Sequence, residues 1–148
     1  IRVDSASNAL YQSTLSSLQG QKNETLLFYN GHSDHLEIIA DAGFTSEDFT
    51  YGNFGKGLYF NSNVNNCLVK NIGKIQKVLM CKVALGKIDE MIKPTTNKIN
   101  LTRKSGFDSV KILNVENSNS DTIFDSEHVI FSAHLAIPLF ILTFQSAK

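Results

Sequence analysis

Apolar residues in this chain fall in short runs separated by polar stretches, and the runs differ in period. Leu10, Tyr11, Leu15 and Leu18 recur at helical spacing inside a polar segment, which predicts one amphipathic helix over 5–18. Residues 25–29 are short and apolar, as a buried strand is. Ser33 reads as an N-cap, with Leu36, Ile38, Ile39 and Ala42 along one side of a helix that Gly43 stops. Residues 45–54 mix polar and aromatic side chains without period and read as a loop over a cleft. A short strand is expected at 58–60, then an Asn-rich helix over 61–72 with Val64, Cys67, Leu68 and Asn71 on one face. Residues 77–85 alternate and are rich in Val and Leu, which predicts a central strand. The polar stretch 87–104 around Pro94 reads as a long surface loop. Three more strands are expected at 109–113, 127–131 and 139–144, with a polar turn at 116–121. Short strands with the helices early in the chain predict an α+β fold with few helices and mostly antiparallel sheets. No repeat or composition break divides residues 1–148, so one domain is expected.

Composition narrows the function classes. A formal net charge of +0, from 14 basic and 14 acidic residues, lacks the positive field of a nucleic-acid binder. No apolar run approaches the roughly 20 residues needed to span a bilayer, and no signal-peptide pattern stands at the front. Ile1 rather than Met opens the chain, which is expected of a piece of a longer protein. Cys67 and Cys81 are too few for a disulfide scaffold and fit a reducing, intracellular setting, cytoplasmic or nuclear. His35, His128 and His134 have no Cys or carboxylate at metal-ligand spacing, so no metal site is expected.

The chemistry concentrates in a series of short motifs. Gly55-Lys56-Gly57-Leu58-Tyr59-Phe60 sets two glycines before an aromatic pair, a composition that lets backbone approach a flat ligand. Upstream stands Leu26-Leu27-Phe28-Tyr29-Asn30-Gly31, and downstream Val83-Ala84-Leu85-Gly86-Lys87 and Asp108-Ser109-Val110. Glu127-His128-Val129-Ile130-Phe131 follows, then the apolar run 136–144. In order and spacing, from about Leu26 to Phe144, this series resembles the catalytic domain of the poly(ADP-ribose) polymerase family, the diphtheria-toxin-like ADP-ribosyltransferases. The resemblance implies two mostly antiparallel sheets flanking a cleft for NAD, which serves as co-substrate. It implies no metal, and a protein acceptor as partner.

By the same resemblance Glu127 is the catalytic carboxylate. It would hydrogen-bond the 2′-hydroxyl of the nicotinamide ribose and stabilise charge developing at the anomeric carbon. Without the resemblance, Glu127 reads as a strand-end glutamate facing water. Tyr59 would line the nicotinamide pocket, where an aromatic face stacks on a flat ring; otherwise it packs as a strand aromatic. Gly31 would offer its backbone to the carboxamide, with Gly57, His32 and Ser33 nearby.

The departures from the family pattern are specific. Asn30 stands where the family has the histidine that holds the adenine-side ribose, and an amide can still donate and accept hydrogen bonds. His32, two residues on, is a candidate substitute. Cys67 stands where the family commonly has Ser, and Lys70 where it has a second Tyr. Two readings follow. The first is an NAD-dependent protein ADP-ribosyltransferase, mono-ADP-ribosylating because the chain shows little to hold an existing ADP-ribose. The alternative is an inactive relative of the same fold, serving as a binding or assembly module in a larger protein.

Overall fold

The computed structural model describes residues 5–31, 33–68, 75–92, 106–113 and 125–145. Two α-helices, α1 (Ser5–Ser17) and α2 (Ser33–Ala42), and eight strands make up its main elements. The strands are β1 (Glu24–Tyr29), β2 (Thr50–Gly52), β3 (Gly55–Asn61), β4 (Ile75–Ala84), β5 (Ile88–Ile92), β6 (Ser109–Leu113), β7 (Ser126–Ile130) and β8 (Ala136–Gln145). Single turns of 3-10 helix lie at Ser46–Asp48, Val64–Cys67 and Ala133–Leu135. The fold is α+β, with few helices and a mostly antiparallel sheet.

Strand pairing corrects the expected pair of sheets. All eight strands join one sheet in the order β5-β6-β7-β3-β1-β4-β8, with β2 attached to β3. Among the described residues only β5 and β6 run parallel. The two halves are nonetheless barely joined, because β1 and β3 pair at the single register Phe28↔Asn61. By contrast β4 pairs with β8 from Ile75↔Gln145 to Val83↔Ala136, with one bulge opposite Met80 and Cys81. That bulge leaves Leu139 unpaired beside Pro138, which lacks a donor and is tolerated next to an irregularity on an outer strand.

The helices cover one face of the sheet. Tyr11, Leu36, Ile39 and Ala40 are buried against Leu27, Tyr29, Leu58, Phe60, Leu79, Cys81 and Ile130. The rings of Tyr29, Phe44 and Phe60 meet there edge-on or tilted, with centroids 5.2 to 5.8 Å apart. The Tyr11 hydroxyl donates to Glu24 Oε1 at 2.6 Å, which fastens α1 to β1. Burial, reinforced by the Glu24 carboxylate, raises that hydroxyl's pKa far above its usual value.

Several local expectations need correction. The buried stripe of α2 is Leu36, Ile39 and Ala40, at spacings of three and four, while Ile38 is 63% exposed and Ala42 is also exposed. Likewise Leu10 points outward and Tyr11 inward on α1. The helix α2 begins at Ser33, where a start was expected. Gly43, at φ +81, does end the helix, its N–H reaching Ile39 O at 2.7 Å. The expected loop at 45–54 holds a capped 3-10 turn and then β2, so it is half of a tight hairpin with β3. The expected helix after Asn61 is one 3-10 turn, Val64–Cys67, and residues 69–74 lie outside the described part. The stretch read as a long loop begins with β5, a full partner of β6; 93–105 and the expected turn at 116–121 lie outside the described residues.

Candidate functional site

Alternation along β3 separates core from site. Leu58 and Phe60 are fully buried beneath the helices, so Tyr59 and Asn61 project from the opposite face. On β7 the same rule turns Val129 and Glu127 to that face, because Tyr59 pairs with Val129 and Asn61 pairs with Glu127. Tyr59 and Glu127 are therefore diagonal neighbours across one ladder. Across the next ladder Glu127 pairs with Ile112 and Val129 with Val110. Val110, Ile112, Val129 and Phe54 form a second, smaller apolar cluster, against which Tyr59, Met91 and Phe131 pack.

Tyr59 is held tightly. Its hydroxyl donates to Gly55 O at 2.7 Å and accepts from the Phe54 amide at 3.1 Å. Gly52 lies against the ring: a Cβ there would fall 2.3 Å from Cζ, so the hairpin closes over Tyr59 only with glycine at this position. Burial raises the hydroxyl's pKa, the Phe54 amide opposes this, and the Glu127 charge adds to it. Glu127 itself is half-buried.

Gly57 has a packing role of its own. A Cβ there would meet Ile130 O at 2.8 Å and a Val129 methyl at 3.0 Å, so its bareness admits β7. Gly31 lies two residues past the end of β1, and a Cβ there would press on the Tyr29 ring at 3.0 Å. Asn30 is exposed, and its Nδ2 donates to Cys67 O at 3.0 Å. Cys67 is buried; its thiol donates to Phe28 O at 3.8 Å and takes the Asn61 amide at 3.7 Å. Burial raises the pKa of that thiol, with the Asn61 amide acting the other way. Ser33 opens α2, while His32 and Lys70 lie outside the described residues.

The structure thus brings Tyr59, Glu127 and Gly57 onto neighbouring strands, and ties Asn30 to Cys67 across the seam where β1 meets β3. Sequence reasoning passed over Asn61 and Phe54, and read Gly52 as an ordinary turn glycine where the structure has it in β2 against Tyr59. Asn61 carried no local signal, because it closes β3 where the Asn-rich stretch begins. Two described cavities, of about 80 Å³ beside Phe44 and Pro138 and about 410 Å³ beside Asn23 and Lys87, lie elsewhere. Among the described residues no group of His, Cys, Asp or Glu could hold a metal ion, and no helix is long and apolar enough to cross a membrane. No protein-family model matches the chain, and no curated protein matches it.

Proposed function

We propose that this domain is an NAD-dependent ADP-ribosyltransferase of the poly(ADP-ribose) polymerase type, placing single ADP-ribose units on a protein acceptor. The observation that carries the reading is the diagonal pair of Tyr59 and Glu127 on the sheet face away from the helices. Its neighbour is the seam whose other strand leads into Asn30 and Gly31.

NAD supplies a glycosidic C–N bond whose cleavage releases neutral nicotinamide and leaves positive charge on the ribose. The chain's own residues have distinct tasks around it. Tyr59 offers a ring whose hydroxyl is already satisfied by Phe54 and Gly55, so it stands as a fixed stacking surface. Glu127 offers a carboxylate to the ribose hydroxyl and to the developing positive charge, an interaction that strengthens toward the transition state. It is also the base that receives the acceptor's proton. Single-unit transfer fits the hairpin of β2 and β3, which folds residues 50–61 tightly and leaves little chain there to cradle an existing ADP-ribose.

One observation favours the second reading, an inactive binding module. The Asn30 amide is engaged by Cys67 O, and the Cys67 thiol faces Phe28 O, so both substituted positions serve the fold. Incubating the domain with NAD and measuring free nicotinamide, alongside the mass of the protein, separates the two. Nicotinamide release that disappears in Glu127→Gln supports the transferase; NAD binding without release supports the module.

A further inference from the structure

Asn61 occupies a singular position in the sheet. It is the register partner of Phe28 on one side and of Glu127 on the other. It is thus the one residue of β3 laddered to both halves, and it closes that strand. Its side chain is committed as well: Nδ2 donates to Cys67 Sγ at 3.7 Å. Cys67 in turn reaches Phe28 O through its thiol and takes the Asn30 amide on its carbonyl. The 3-10 turn Val64–Cys67 is therefore strapped to β1 by Asn30 and Phe28 and to β3 by Asn61. A second tie holds the same turn to the start of β7, where Asp125 accepts from Asn63 Nδ2 at 3.1 Å and Asn66 Nδ2 at 3.3 Å.

We propose that Asn61 is a positioning residue for Glu127. Through Cys67 it pins the seam between β1 and β3, and so fixes the distance from Glu127 to the Asn30–Gly31 end of β1. A ladder of one register has nothing else in the backbone to resist shear. A carboxylate opposite a reacting centre loses its effect with displacements of about 1 Å. The catalytic part of this inference rests on the transferase reading; the part concerning the seam does not.

The experiment compares wild type with Asn61→Ala, Cys67→Ala and Cys67→Ser, by amide hydrogen exchange and by nicotinamide release from NAD. Asn61→Ala and Cys67→Ala are expected to speed exchange at Phe28, Asn61 and Glu127 by about tenfold or more, with β4 and β8 unchanged. They should lower kcat by about tenfold or more while KM for NAD stays within about twofold. Cys67→Ser sets a shorter side chain against Phe28 O and Asn61, contacts that sulfur makes at 3.8 and 3.7 Å and oxygen does not reach, so it should loosen the seam in the same direction and report on the strap even where an alanine variant folds poorly. Exchange at the seam that Asn61→Ala leaves untouched overturns the inference. So does a loosened seam with unchanged kcat, or a rise in KM alone. A wild-type domain that releases no nicotinamide sinks the transferase reading, and the exchange data then decide by themselves whether Asn61 holds the seam.

Discussion

The two halves of the sheet are built on different terms. On one side, β1, β4 and β8 share long ladders under both helices, and Leu27, Leu79, Cys81 and Val83 are sealed between them. On the other, β5, β6 and β7 are strands of five residues each, and β3 meets β1 at one register. Among the described residues the four buried polar side chains, Asp89, Ser109, Ser126 and His128, all lie there. Among the described residues, the two buried side-chain atoms without a hydrogen-bond partner, Asp89 Oδ2 and His128 Nδ1, belong to the same half. An unpartnered buried polar atom costs about 1–3 kcal/mol. The difference teaches a division of labour: one half holds the fold at little polar expense, and the other carries groups that a purely structural sheet would exclude.

The largest expected effect tests the first half. Leu79→Ala removes a side chain with 0% exposure and should lower stability by about 4 kcal/mol, read as a shift of the urea midpoint at constant slope. A loss below about 1 kcal/mol would erase the contrast.

Acid should act on the other half. Burial lowers the pKa of His128 to about 4, helped by the neighbouring Lys111 cation, while its Nε2 meets Ser126 Oγ at 2.8 Å. Below the ordinary value of 6.5 the unfolded chain takes up a proton that the folded protein refuses until about pH 4. Stability is therefore full above pH 6.5 and falls as the pH drops to 4. The decline at this site amounts to about 3 kcal/mol. Urea titrations across that window should show the decline in wild type and a flatter profile in His128→Gln; parallel profiles would assign the acid sensitivity elsewhere.

Glu127→Gln comes next. It keeps the shape and removes the charge, so nicotinamide release should fall about 10²-fold with NAD affinity and urea midpoint unchanged. Release at the wild-type rate would leave Glu127 without a catalytic task.

The smallest effect concerns Asn30→His. A restored ribose contact adds about 1 kcal/mol, a several-fold gain in NAD affinity, set against the lost bond to Cys67 O. Calorimetry showing weaker binding than wild type would mean that the bond to Cys67 matters more than the ribose.

Legibility in the sequence followed local pattern and failed where distant strands decide. The strand 109–113 was readable to the residue because an apolar run there follows Phe107 and Asp108. β5 was missed because Asp89 and Glu90 interrupt its apolar residues, and Asp89 is buried only once β6 lies beside it. β2 was missed because all three of its residues are exposed. The helical stripe of α2 was set one position off at Ile38, since several apolar residues compete for one face there. Tyr59 and Glu127 were legible as motif residues, and alternation then fixed the face they share. Asn61 was not, because its importance comes from pairing with residues more than thirty positions away on either side. No window of local sequence contains that information.

The long ladder between β4 and β8 has a consequence for synthesis. β4 is complete at Ala84, but its partner ends at Gln145, roughly sixty residues and several seconds of translation later. Until then the edge formed by Val78, Leu79 and Cys81 has no β8 beside it, and the ladder between β4 and β8 cannot close. The nascent chain must wait for β8, and during that interval an open, apolar sheet edge is exposed to pairing with other chains.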